Sequence, residues 1–339
     1  MEFIKVVKTS RFLDPMHGFQ SSERQSEVRY DPLTNQTTRI LDFPVKEMER
    51  VDLSPLIEKS KAICPFCPEL IELVTPKFPS GRLGKERYVI GESLCFPNAF
   101  PYDENGAVTV MSRSHYLALA DFDAGIIGNA IGCCIEYLRD LLVAQPEAVY
   151  QSINWNYMPL AGGSIVHPHL QVTASTTPTN YYTSMLSMLE VYRGKHGTDF
   201  WRDLVSQEEQ LSERFIVRME HMSWLVAFAP LGVFDIIGVM DDKYRPSEMR
   251  DGIMSDLVAG ILKALGYIDS LNMYSLNMSL YFLPDNDLFT PHVRICPRVS
   301  IPPFGTSQIN YMRMLHNEPM TTMKPEDVCL GMKNLWRYS

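Results

Sequence analysis

Residues 161–172 read AGGSIVHPHLQV. In an extended strand, positions two apart share a face, so His167, His169 and Gln171 would stand in a row above a loop of Gly162, Gly163 and Ser164. Glycines let backbone N–H groups come close to a ligand, and such a nest suits phosphate oxygens. A neutral histidine beside the nest needs one ring nitrogen free and the other N–H held by a fixed acceptor. It can then attack phosphorus directly and split one displacement into two easier ones. Pro168 stiffens the backbone between the two histidines. Gln171 brings an amide donor for a phosphate oxygen without bringing an acid or a base. The competing reading is a pair of half-buried strand histidines satisfied by neighbours, but packing gives no reason for the small residues and the glutamine to coincide with them.

A second pattern is Cys64-Pro-Phe-Cys67, a spacing whose turn lets two thiolates converge on one ion. Such a pair is half a site. A tetrahedral ion needs two more ligands, and His115 and His167 are the candidates. The rivals are a thioredoxin-like redox pair and two unbound loop thiols. The flanking prolines suit a loop better than the strand-to-helix context that the redox motif wants.

These residues need elements to hold them. "AVTVMS" (107–112) reads as a strand, 124–145 as a helix stopped by Pro146, and 148–156 and 164–174 as two further strands. The order then recurs. "WLVAFAPLG" and "VFDIIGVM" are strands, 247–272 is a helix with a Ser N-cap and Glu248 in its first turn, and 275–284 and 291–299 are strands. A weak internal duplication is the economical reading. Laying one half over the other puts His292 at the place of His167, Arg294 at that of His169 and Cys296 at that of Gln171. Only the first copy then keeps a histidine at the reactive position. Cys133 and Cys134 lie in a helical apolar stretch and are expected in the core, while His196 and His221 are expected on the surface or in turns.

"VRYDPLT", "CPFC", "FPNAFP", "SRSHY" and "GGSIVHPHLQ" occur in the order seen in galactose-1-phosphate uridylyltransferases. The chain resembles that family, a branch of the histidine-triad superfamily, over most of its first two-thirds. The resemblance implies an α+β fold of two tandem histidine-triad-like repeats, each a mostly antiparallel half-barrel sheet with a packed long helix. The first repeat would span 1–205, with the zinc site and the nucleophile, and the degenerate second one 206–339. It further implies that His169 carries a nucleotidyl group and that Gln171 contacts the transferred phosphate. Ser164 would lie in the phosphate loop, and Asn98 and Asn156 would contact the nucleotide. Zn2+ would sit on Cys64, Cys67, His115 and His167. Three departures bear on the substrate. A basic segment that the family carries after "PLT" is missing from "NQTTRILDFPVKEMERVD" (35–52). At a second metal site of some members His292 remains, but Arg294 and Tyr281 stand at two ligand positions. The C-terminal segment, which in the family completes the sugar pocket across a dimer interface, also carries other side chains.

Composition narrows the classes. The 339 residues carry a formal net charge of −9, which excludes the basic footprint of a general nucleic-acid binder but not a phosphate-bearing small molecule. Seven cysteines are too few and too scattered for a disulfide scaffold, and apolar segments are interrupted by charge before reaching membrane-spanning length. The first residues lack a signal-peptide pattern, so the cytoplasm is the default expectation. The resulting expectation is a cytoplasmic zinc protein acting on a nucleotide sugar and a sugar 1-phosphate, with no nucleic-acid or membrane partner and with a homodimer implied by the resemblance. It would transfer a nucleoside monophosphate by a ping-pong route, in galactose or other carbohydrate metabolism. The alternative enzyme is a phosphorylase of a nucleotide sugar or dinucleoside polyphosphate that uses inorganic phosphate as acceptor. A non-catalytic nucleotide-binding protein and a thiol redox protein are the other classes.

Overall fold

The computed structural model describes residues 1–43, 48–301 and 305–337. Residues 44–47 of the stretch 35–52, 302–304 of the Pro-rich loop after 297, and 338–339 lie outside it. The N-terminal part forms a small sheet from β1 (Lys5–Asp14), β2 (Gln20–Tyr30) and β3 (Thr37–Leu41). Three short helices follow, α1 (Ser54–Lys61), α2 (Ile71–Val74) and α3 (Ser80–Leu83), with Cys64 and Cys67 in the turns between the first two.

Ten strands then build one antiparallel sheet. The first half contributes β4 (Tyr88–Ile90), β5 (Ser93–Pro97), β6 (Ala107–Val110), β7 (Tyr150–Tyr157) and β8 (His169–Ser175). The second half contributes β9 (Phe215–Arg218), β10 (Met222–Val226), β11 (Ile236–Met240), β12 (Leu276–Phe282) and β13 (His292–Pro297). Their spatial order, β4-β5-β6-β8-β7-β12-β13-β11-β10-β9, is a palindrome about the β7–β12 pair. The halves are therefore related by a pseudo-twofold axis through that seam, and the architecture is the α+β pair of tandem repeats expected. Two-residue strands β14 (Ser300–Ile301) and β15 (Thr306–Ser307) form a ribbon, and β16 (Met320–Thr321) adds in parallel to β3.

Alternation explains which face is which. Along β7, Gln151, Ile153, Trp155 and Tyr157 are buried while Tyr150, Ser152, Asn154 and Asn156 are half-buried. β12 repeats the pattern, burying Leu276, Met278, Leu280 and Phe282 and turning Asn277, Ser279 and Tyr281 the other way. The apolar face packs on α4 (Ala124–Ala144) and α7 (Asp251–Ser270) around one large core. α4 is capped by Asp123, whose Oδ1 accepts from the Ile126 N–H at 2.8 Å, and it buries Cys133 and Cys134 as expected. α7 starts later than the sequence suggests. Pro246–Glu248 form a separate 3-10 turn, closed by the Glu248 carboxylate on the Arg245 N–H, so Ser247 is not the cap and Arg250 precedes the helix.

On the polar face, α5 (Asn180–His196) and α6 (Phe200–Leu211) cover the second half's strands through a smaller core that includes Met185, Trp201, Leu204, Leu225 and Ile237. α8 (Tyr311–Leu315) and α9 (Pro325–Arg337) end the described chain. Among the described residues no helix is long and apolar enough to cross a membrane.

Candidate active site and metal centre

β8 begins at His169, not at 164; residues 162–168 are a loop. The loop's last carbonyl, Pro168 O, accepts from the Met111 N–H at 3.0 Å and so fixes His169 at the strand's first position. The His169 ring is buried, and its Nδ1 lies 2.8 Å from the His167 carbonyl. A carbonyl can only accept, so Nδ1 carries the proton and Nε2 keeps its lone pair. Burial pushes this imidazole's pKa down, which favours the neutral form that has that lone pair. Nε2 has no hydrogen-bond partner among the described residues. Phe66 stands edge-on to the ring at 5.2 Å and limits its tilt.

Gln171 follows on the same face, half-buried, and its side-chain amide is free among the described residues. Its strand pairing with Asn154 places Asn156, two residues along β7 on that face, beside His169. Asn154 bridges β8 and β12, donating to the Gln171 carbonyl at 3.3 Å and accepting from Ser279 Oγ at 2.7 Å. Asn156 is held by Asn277, whose Nδ2 donates to its Oδ1 at 2.7 Å and to the Ala161 carbonyl at 2.9 Å. Asn277 thus ties β12 to the start of the glycine loop. Sequence reasoning had not found Asn277, because its partners are more than a hundred residues away.

In the loop, Gly162 has φ of +88°, a conformation that glycine alone takes without strain. Gly163 is pressed onto β7: a Cβ there would lie 2.7 Å from the Asn156 carbonyl oxygen. Ser164 is exposed at the loop's edge. Asn98 turns the chain after β5, its Oδ1 accepting from the Phe100 N–H at 2.9 Å, and no hydrogen bond among the described residues joins it to His169 or Gln171.

The four expected metal ligands come together. The donor atoms of Cys64, Cys67, His115 and His167 all lie within 4.8 Å of one another, and all four residues are buried. His167 Nδ1 is 3.7 Å from Cys64 Sγ and 3.8 Å from Cys67 Sγ, and His115 Nδ1 is 3.4 Å from Cys67 Sγ. These separations match the roughly 3.6 Å edges of a tetrahedron with ligand bonds of about 2.0–2.3 Å. The outward nitrogens are fixed as metal-ligating histidines require: His167 Nε2–H donates to the Ser112 carbonyl at 2.8 Å, and His115 Nε2 pairs with Ser60 Oγ at 2.9 Å. A buried Cys2His2 cluster that can hold a metal ion therefore sits one turn of chain from His169. Burial, helped by Cys64, pushes the Cys67 thiol up to about 11, so this thiol is unfavourable as a free anion and would gain from an ion beside it.

The second half requires a correction. Met240 N–H donates to Pro291 O at 3.1 Å, as Met111 does to Pro168. His292 Nδ1 reaches back to the Thr290 carbonyl at 2.8 Å, as His169 does to His167. Val239 pairs with His292 as Val110 pairs with His169. His292 is thus the counterpart of His169, Thr290 that of His167 and Arg294 that of Gln171. The sequence alignment was two residues out of register. A shift of two keeps every side chain on its face, so periodicity cannot detect it. The consequence is that the second half also has a histidine at the first position of its strand, and there the ring is covered. Tyr181 Oη occupies His292 Nε2 at 2.6 Å, Trp201 covers the ring at 4.2 Å, and Arg294 is buried against Asp235.

No family model matches the chain. An Archaeoglobus fulgidus protein, described only as uncharacterized, is 31% identical over 340 residues, which are 99% of both chains. Among solved structures, a galt-like protein from Arabidopsis thaliana superposes with a TM-score of 0.69 at 17% identity, covering 90% of this chain and 98% of that one. An Arabidopsis ADP-glucose phosphorylase with bound ADP-glucose gives 0.68 at 18%, covering 91% and 98%, and a uridylyltransferase gives 0.67 at 18%, covering 92% and 99%. The chain belongs to one family with the Archaeoglobus protein and, with the strand palindrome and the position of its histidines, has the fold of the galt-like protein and the uridylyltransferase.

Proposed function

We propose that the protein is a nucleotidyltransferase that works through a covalent nucleotidyl-His169 intermediate. The observation that carries this is the His169 ring, with Nδ1–H on the His167 carbonyl and Nε2 unpaired, beside an uncommitted Gln171 amide. In the first step Nε2 attacks the nucleotide's α-phosphorus, the P–N bond forms, and the electron pair of the breaking P–O bond leaves with the second phosphate. Gln171 and the N–H groups of the Gly162-Gly163-Ser164 loop hold the oxygens where negative charge builds up. In the second step a phosphate oxygen of the acceptor takes the nucleotidyl group back from His169. Asn156, and Asn98 at the end of β5, line the nucleotide's approach.

The ion at Cys64, Cys67, His115 and His167 is zinc in this reading, because two thiolates and two imidazoles at tetrahedral spacing suit it. Four protein ligands leave no open position, so its role is to brace the loop that carries His169. The donor is a nucleotide sugar, and the acceptor is a sugar 1-phosphate or inorganic phosphate. A cytoplasmic enzyme of carbohydrate metabolism, as a homodimer, follows from the same reading.

The test is to incubate the protein with a panel of nucleoside diphosphate sugars and weigh it intact. The expected result is a mass increase of one nucleoside monophosphate, absent from His169→Asn. No increase with any donor sinks the proposal. Discharge of the labelled protein by inorganic phosphate, against discharge by sugar 1-phosphates, then separates phosphorylase from transferase.

A further inference from the structure

Three arginines of the second half converge on the polar face of the sheet. Arg294, in β13, is neutralised by Asp235, itself fully buried, with Nε 3.1 Å from Oδ2. Arg298, just beyond β13, and Arg313, in α8, are half-buried and have no carboxylate partner among the described residues. Arg298 Nη1 donates to Asn277 Oδ1 at 3.1 Å, and its Nε meets the side-chain oxygen of Gln308. Arg313 Nη1 donates to Asn317 Oδ1 at 3.0 Å, and the residue lines, with Arg294, a cavity of about 300 Å³ on this face. Every one of these acceptors on Arg298 and Arg313 is neutral. Burial pushes the Arg298 guanidinium down, and repulsion from Arg313 adds to that. Two partly desolvated cations held together without a counter-charge cost free energy, and an anion bound between them would recover it.

The position of Arg298 says which anion. The Asn277 amide that receives Arg298 also holds Asn156 and the Ala161 carbonyl at the head of the glycine loop. β12 lies two strand spacings, roughly 10 Å, from β8 and His169. The geometry points to Arg298 and Arg313 as the subsite for the second phosphate. That group is the one leaving in the first step and the one attacking in the second. This rests on His169 as nucleophile. In the second step an anionic oxygen of this phosphate forms the new P–O bond, the P–N bond to His169 breaks, and its electron pair returns to the imidazole nitrogen. The acceptor is already an anion, so no proton need be removed. Neither arginine lies in a recognised motif, and both come from the half that has lost its own nucleophile.

The test loads the protein with a nucleoside 5′-phosphorimidazolide, whose leaving imidazole carries no phosphate, and measures how much faster inorganic phosphate or glucose 1-phosphate discharges it than water does. In Arg298→Gln the acceleration over water should fall about 100-fold, in Arg313→Gln about 10-fold, and Arg298→Lys should recover part of the loss. Acceleration retained in both glutamine variants overturns the subsite. A second arm titrates inorganic phosphate calorimetrically into His169→Asn, with and without Arg298→Gln. Binding that survives Arg298→Gln also overturns it. A wild-type protein that never loads, but binds phosphate only when Arg298 is present, refutes the nucleophile and keeps the subsite.

Discussion

His169 and His292 are the same backbone position in two copies, with the same Nδ1 hydrogen bond, and they differ in what meets Nε2. At His292 a tyrosine hydroxyl meets Nε2 and an indole covers the ring; at His169 Nε2 has no hydrogen-bond partner among the described residues. The same contrast holds one pair further on, where Gln171 is uncommitted and Arg294 is consumed by Asp235. Gln171→Ala is therefore expected to lower the transfer rate about 100-fold, as loss of one donor to developing charge usually does, while the protein still unfolds like wild type. Rate and urea midpoint measured together check this. Gly163→Ala puts a methyl 2.7 Å from a backbone oxygen that cannot swing away. The loop must shift, and a displacement of about 1 Å at a phosphate site is worth roughly 100-fold in single-turnover nucleotidylation.

At the scale of elements, the loop before α2 and the segment before β8 meet at the Cys64, Cys67, His115 and His167 cluster and the apolar residues around it. Chelation, or Cys64→Ser, should release one ion per chain and lower the melting temperature by roughly 5–10 °C, read by metal analysis and calorimetry. A second joint is Gly260, where α7 passes over the buried Trp224: a Cβ there would lie 1.9 Å from the indole ring. Gly260→Ala should cost about 3 kcal/mol in denaturant unfolding.

The third joint is ionic. Glu326 of α9 receives Arg29 of β2 at 2.8 Å and Arg214 at 2.8 Å, and Arg214 also holds the buried Glu208 of α6. Burial raises the Glu326 pKa, but the two guanidinium groups outweigh it and hold the carboxyl at about 2 against an ordinary 4.5. A depressed acid stabilises the fold above its unfolded pKa, and that contribution is lost as pH falls from about 4.5 toward 2. Glu208 acts the other way. Burial raises it to about 6, so it withdraws stability as pH climbs from 4.5 to 6. Glu326→Gln should cost about 3 kcal/mol at neutral pH, because the buried Arg29 is left with Glu27 alone and Arg214 loses a carboxylate as well. Below pH 4.5 the gap to wild type should narrow, as urea midpoints at pH 7, 5 and 3 would show.

For the whole molecule, the β7–β12 seam turns two five-strand arrays into one sheet, and α4 packs on α7 behind it. Each half alone would expose a long edge strand with unpaired backbone groups and the apolar flank of its helix. We propose 1–205 and 206–339 as the two repeats. Produced separately, they should aggregate or self-associate, and co-produced they should form a one-to-one complex by light scattering. Two monomeric, folded fragments would contradict this.

From sequence alone, the glycine loop with His169 and Gln171 beside it, the cluster of Cys64, Cys67, His115 and His167, and the two-repeat α+β architecture were legible. Each is written in short spacings or in alternation along one element. What the chain order could not convey was the register between copies, since a shift by two leaves alternation intact. Nor could it convey that Tyr181 and Trp201 cover His292, or that Asn277, with Arg298 on its side-chain oxygen, arrives beside a loop more than a hundred residues earlier. Those relations depend on cross-strand pairing and helix placement, which are energies of the folded whole and leave no periodic trace in the sequence.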